Sequence, residues 1–131
     1  MREILFRGKR TDNGEWEYGD LWCNPYGKRV VCIVSPINDQ GTTGGNEVDP
    51  ETVCQFTGLH DKNGKKIFEG DIVQTEDCCY VVLWDSVRAT YYLRNPIARI
   101  LTDFYHYFGE DLILIGNIHD NAKLLHTENN L

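Results

Sequence analysis

The chain has 131 residues, 41% apolar and 25% charged, with 13 Lys and Arg against 20 Asp and Glu, a net charge of −7. That balance supplies a core, with seven Tyr, five Phe and three Trp as large buried surfaces, and does not suit a disordered polyelectrolyte. The charge opposes general binding to phosphate backbones.

No stretch approaches the roughly 20 apolar residues of a bilayer span. The opening Met1-Arg2-Glu3-Ile4-Leu5-Phe6-Arg7 has no apolar run fit for a signal peptide. The expectation is a cytoplasmic chain of one domain, or of two very small units sharing a core.

In chain order, residues 2–8 and 15–23 read as a hairpin across Asn13-Gly14, a dipeptide favoured where both central turn residues need positive φ. Residues 29–35 form the next strand, closed by Ser35-Pro36. The run from Asn38 to Gly45 has no apolar residue and reads as a loop of functional length. No Gly-Lys-Ser/Thr follows Gly44-Gly45, so it is not a phosphate loop. Asp49-Pro50-Glu51 leads into a second hairpin, 52–58 with 66–75, joined through His60-Asp61-Lys62-Asn63-Gly64. Strands follow at 79–85 and 89–94. In 96–108, Ile97, Ile100, Leu101 and Phe104 fit a helical stripe, whereas Phe104 to Phe108 fits a strand. Residues 111–118 are a strand, Asp120-Asn121 caps a short helix carrying Leu124 and Leu125, and the polar end from His126 frays.

An internal repeat underlies this order. Phe6-Arg7-Gly8 through Asn13-Gly14 matches Phe56-Thr57-Gly58 through Asn63-Gly64 at an offset of 50. One inserted residue later, Tyr18-Gly19-Asp20-Leu21 matches Glu69-Gly70-Asp71-Ile72, and Arg29-Val30-Val31 falls opposite Tyr80-Val81-Val82. The unit is strand, Asn-Gly turn, strand, Gly-Asp turn, strand, turn, strand. Units of about 50 residues make poor cores alone. The expected fold is therefore all-β with minor α. It comprises two tandem related meander or small barrel-like units, 1–50 and 51–131, packed together, and a short C-terminal helix.

Chemistry-bearing residues are few. The cysteines, Cys23, Cys32, Cys54, Cys78 and Cys79, are odd in number and show no Cys-x-x-Cys pair, so neither a disulfide framework nor a zinc ribbon is signalled. Adjacent Cys78 and Cys79 in a strand point to opposite faces, and buried reduced thiols are expected. His60, His106, His119 and His126 show no metal-binding spacing, so no metal or cofactor is expected. Asp20 and Asp71 occupy equivalent repeat positions. They are either paired carboxylates for acid–base work or, as duplication favours, side chains bonded to their own turns. Basic residues cluster at Arg7-Lys9-Arg10, Lys28-Arg29 and Lys62-Lys65-Lys66, where an anion site competes with ordinary solvated turns. In Phe104-Tyr105-His106-Tyr107-Phe108, alternation makes Tyr105 and Tyr107 either an exposed interface pair or part of a core strand.

Four segments together resemble the YopX family of phage and prophage proteins. They are Ile4-Leu5-Phe6-Arg7-Gly8 with Trp16, the block Gln55 to Lys65, its continuation Ile67-Phe68-Glu69-Gly70-Asp71-Ile72-Val73, and the ending from Ile115-Gly116-Asn117-Ile118-His119-Asp120-Asn121 to Leu125. The resemblance implies a small β-rich protein acting in a bacterial host's cytoplasm. It carries over no catalytic or binding residue.

The function expected is a non-enzymatic binding module and homo-oligomer. Its target is a host protein or a small anionic ligand held by Arg7, Lys9, Arg10, Lys62, Lys65 and Lys66, with Tyr105 and Tyr107 at an interface. The alternative is a small nucleotide-processing or hydrolytic enzyme using Asp20 and Asp71.

Overall fold

In a computed structural model, the structure describes residues 2–24, 30–34, 45–76, 78–95, 100–103 and 111–126. Strands β1 (Phe6–Lys9), β2 (Trp16–Cys23), β3 (Val31–Val34), β4 (Gly45–Glu47) and β5 (Cys54–His60) come first, with a 3-10 turn at Pro50–Thr52 between the last two. They are followed by β6 (Lys66–Phe68), β7 (Asp71–Gln74), β8 (Cys79–Asp85), β9 (Thr90–Asn95), β10 (Ile100–Asp103), β11 (Ile113–Asn117) and a 3-10 turn at Ala122–His126. The chain divides into two compact units, residues 1–56 and 57–131, and the boundary falls inside β5.

In the first unit β1 to β4 form an antiparallel meander, and the start of β5 returns to pair with β1 at Phe6 and Arg7. Beyond β4 the chain reaches the far end of β1. Arg10 bridges Val48, Thr11 donates its N–H to the Glu47 carbonyl at 3.1 Å, and Asp49 donates to the Lys9 carbonyl at 2.8 Å. These bonds curl the meander into a small barrel and occupy the second side of the chain from Glu47 to Asp49. Its interior is Val31, Ile33 and Val48, with Phe6, Leu21 and Val53 packed against them.

The second unit carries a five-stranded sheet in the order β10-β9-β8-β7-β11. Both of its faces are covered. Val73, Tyr80, Val82 and Leu93 face Ile67, Cys78 and Leu112, while Ile72, Cys79 and Val81 lie under Leu125, with Ile118 and Leu124 beside them. Coverage of both faces explains why burial runs through successive residues, Asp71 to Val73 in β7 and Cys79 to Val82 in β8, rather than alternating.

The repeat is visible in the strand order, but its turns differ from expectation in two ways. At both Asn-Gly turns only the glycine adopts positive φ, Gly14 at 71° and Gly64 at 81°. The Arg10 N–H closes on the Glu15 carbonyl and the Asp61 N–H on the Lys65 carbonyl. In both loops glycine alone takes the left-handed position, where the expectation for Asn-Gly was positive φ at both residues. The Gly-Asp pair turns only in the second unit. Gly70 sits at φ 84° and separates β6 from β7, whereas Gly19 lies inside an unbroken β2, opposite Phe6. A Cβ on Gly19 would stand 2.4 Å from the Val34 carbonyl oxygen, so glycine is needed there for close approach.

The closing helix is a 3-10 turn, and Asn121 does not cap it through its side chain. The Asn121 Oδ1 instead accepts from the Asn117 N–H at 3.2 Å. Of the ambiguous stretch 96–108, residues 100–103 are strand. Tyr105 and Tyr107 lie outside the described residues.

Candidate functional site

The two aspartates of the catalytic alternative sit in unlike settings. Asp71 is buried, and its Oδ2 accepts from the Phe68 N–H at 2.7 Å. Its carboxylate is committed to the turn that Gly70 makes. Asp20 is exposed on β2, opposite Val34. The first belongs to the second unit and the second to the first.

The cysteines are free thiols. Cys78 and Cys79 enter the two different core clusters, on opposite faces, and burial, with Cys78 adjacent, pushes the Cys79 thiol up. Cys54 is also buried, but Cys23 is exposed and Cys32 half-buried. Burial thus fails for Cys23, the last residue of β2, which is paired with Val31 but exposed. Among the described residues no group of three or more His, Cys, Asp or Glu is placed to hold a metal ion, and no helix is long and apolar enough to cross a membrane.

Strand alternation splits the first basic cluster. Arg7 and Lys9 share one face, where the Arg7 guanidinium lies 4.7 Å from the Trp16 ring centre and the Lys9 ammonium 5.5 Å. Arg10 turns the other way. Its Nη2 binds the Asp12 carboxylate at 2.6 Å and its Nη1 meets Glu17 at 3.3 Å, so the Asp12 hydrogen bond holds the guanidinium pKa up and the Asp12 carboxyl down. Lys62, Lys65 and Lys66 are exposed on the second unit's hairpin. The backbone donors of that hairpin are used internally. Buried Asp61 accepts from the Asn63 N–H at 2.8 Å, the Lys65 N–H at 2.9 Å and, through Oδ2, the Leu114 N–H at 2.9 Å. Burial alone would raise the Asp61 pKa, but these three donors hold it below the ordinary carboxylate value.

The segments that stand out in the sequence thus build turns. Asp61 locks the Asn-Gly hairpin to β11, and Asp71 and Gly70 make the β6–β7 reversal. In the ending, the Asn117 Oδ1 accepts from the His119 and Asp120 N–H groups, both at 2.9 Å. A Cβ on Gly116 would meet the Asn121 Oδ1 at 2.6 Å.

Among the described residues, the outer face of the first barrel carries large exposed side chains. Cross-strand partners share a face, so Lys9–Trp16, Arg7–Tyr18, Asp20–Val34–Gly45 and Trp22–Cys32–Glu47 stand in successive rows on it. Tyr18 is 49% and Trp22 50% exposed. Four residues of strand separate them, about 13 Å at roughly 3.3 Å per residue. The second unit also exposes Trp84, but its ring packs edge-on against Tyr91 at 4.9 Å. Basic runs and the Tyr105–Tyr107 alternation do not lead to Tyr18 and Trp22. The period-2 spacing of Trp16, Tyr18 and Trp22 was the available signal.

Comparison with known proteins agrees with this architecture. No curated protein matches the chain. A solved structure described as "Crystal structure of protein EF1440 from Enterococcus faecalis" is similar over 95% of this chain and 99% of that one, with a TM-score of 0.58 and 20% identity, a likeness of fold. The family model described as YopX protein matches residues 5–126, and the chain belongs to the YopX family.

Proposed function

We propose that this protein is a non-enzymatic binding module that engages a partner protein, in a phage or prophage setting a host protein, through the outer face of its first barrel. The carrying observation is the exposed aromatic row of Tyr18 and Trp22 beside the Arg7–Trp16–Lys9 stack. Tyr, Trp and Arg dominate the binding energy of protein interfaces, and a strand holds them in place at little entropic cost. A small anion finds less here. Arg7 is buried against Trp16, Arg10 is neutralised by Asp12 and Glu17, and the Lys62–Lys66 hairpin has spent its amides on Asp61. The burial of Asp71 likewise favours binding over acid–base chemistry, since a catalytic carboxylate must meet its substrate.

A photo-crosslinking residue placed at Tyr18 or Trp22, with Lys62 as the control position, tests this in lysate of a bacterial host. The expected result is a discrete adduct from the first two positions alone, competed by the unmodified chain and not by its Trp22→Ala variant. An adduct of twice the chain mass would make the partner a second copy. Absence of any position-specific adduct, or turnover of nucleotides or phosphate esters that Asp20→Asn abolishes, overturns the reading.

A further inference from the structure

Among the described residues, one end of the aromatic face is supplied with cations and the other is not. Trp16 has Arg7 and Lys9 over its ring. Trp22 lies six residues along the same strand, on the same face by alternation, and half of its surface is open. Its row continues through Cys32 to Glu47, and the adjacent row begins at Asp20. Among the described residues neither carboxylate has an ion-pair partner and no cation lies over Trp22. An aromatic ring face attracts a cation through its quadrupole, most strongly for tryptophan, and the carboxylates of Asp20, two residues back on β2, and of Glu47, two strands across the same face, reinforce that attraction.

Resting on the binding reading above, we propose that the corner formed by Trp22, Asp20 and Glu47 receives a lysine or arginine side chain from an extended segment of the partner protein. Tyr18 takes an apolar side chain of the same segment. The roughly 13 Å between Tyr18 and Trp22 matches four residues of extended chain, so the cation and the apolar residue stand four apart. The same pair of carboxylates repels a phosphate backbone, which sets nucleic acid aside as the occupant. The net charge of −7 favours encounter with a basic partner.

The test is fluorescence anisotropy with three labelled synthetic peptides binding the full chain. One carries Arg and Leu four residues apart, one has Glu in place of Arg, and one has Gln there. The Arg peptide is expected to bind, to weaken as salt is raised, and to lose roughly fivefold to tenfold in affinity with Asp20→Asn combined with Glu47→Gln, the scale of one charge contact. Trp22→Ala should remove binding, and thermal unfolding of that variant verifies that it remains folded. Equal binding of the Glu or Gln peptide, indifference to Asp20→Asn with Glu47→Gln, or silence from all three overturns the cationic assignment. A crosslink at position 22 that survives those results leaves the face standing and removes only this occupant, whereas loss of the crosslink removes the face itself.

Discussion

The two units use the same succession of strands to different ends. In the first, β2 runs unbroken from Trp16 to Cys23 and presents one face inward and one to solvent. In the second, the equivalent stretch is cut by Gly70 into β6 and β7, and the sheet is covered on both faces. A single inserted residue accompanies the difference, because the offset between the repeats changes from 50 to 51 just before the Gly-Asp pair. With the turn, Asp71 goes inside to hold the Phe68 N–H. Without it, Asp20 stays out beside Tyr18 and Trp22. One copy of the repeat stores stability and the other keeps a surface free.

The largest break in that comparison comes from deleting core volume in the second unit. Leu93 is fully buried between Val82 and the residues above it. Leu93→Ala should cost about 2–5 kcal/mol, lost transfer energy plus a cavity, as read by chemical denaturation. A cost below about 1 kcal/mol would mean that this face of the sheet is not packed.

Asp61 comes next. Its depressed pKa means that the ionised form is favoured by folding. The stabilisation is present above the unfolded-state pKa and disappears as pH falls from about 4 toward the lower folded-state value. Asp61→Asn keeps one acceptor but turns an amide N–H toward the Leu114 N–H. It should cost about 2 kcal/mol at neutral pH, the scale of a hydrogen bond to a charged group, and should flatten the loss of stability as pH falls below about 4. An unchanged acid limb would show that Asp61 does not carry this linkage.

A matched pair sharpens the divergence of the repeat. Asp71→Asn should destabilise by roughly 1–3 kcal/mol through its buried turn, and Asp20→Asn by no more than about 0.5 kcal/mol. Equal costs would mean that the two positions had not diverged.

Much of the fold was legible in the residues, for identifiable reasons. The Val31–Val34 and Cys79–Asp85 runs are rich in β-branched and aromatic residues, so their strands followed from composition, and the opposite faces of Cys78 and Cys79 followed from alternation. The unbroken β2 did not, because Gly19 and Gly70 are each followed by Asp and an aliphatic residue, and what separates them lies across from them in the fold. Gly19 faces the Val34 carbonyl, a contact made by another strand. The split of Arg7, Lys9 and Arg10 onto two faces was implied by alternation, yet the pairing of Arg10 with Glu17 is cross-strand and needed the register. The aromatic face was hidden by its own composition. Large rings read as core, and only the fold shows that Gly19 and Leu21, on the other side of β2, face inward instead.

The smallest expected effect separates function from structure most sharply. Tyr18→Ala and Trp22→Ala each remove more atoms than Leu93→Ala, so a ledger based on residue size would rank them as the worse lesions. Half of each side chain is already in water, and the apolar area returned to solvent is correspondingly small. Neither ring contributes to the Val31–Ile33–Val48 interior. Each should therefore shift stability by no more than about 0.5–1 kcal/mol while removing the crosslinked partner. If either instead costs as much as Leu93→Ala, the aromatic row is part of the fold's own packing, and its exposure ceases to be an argument for a partner.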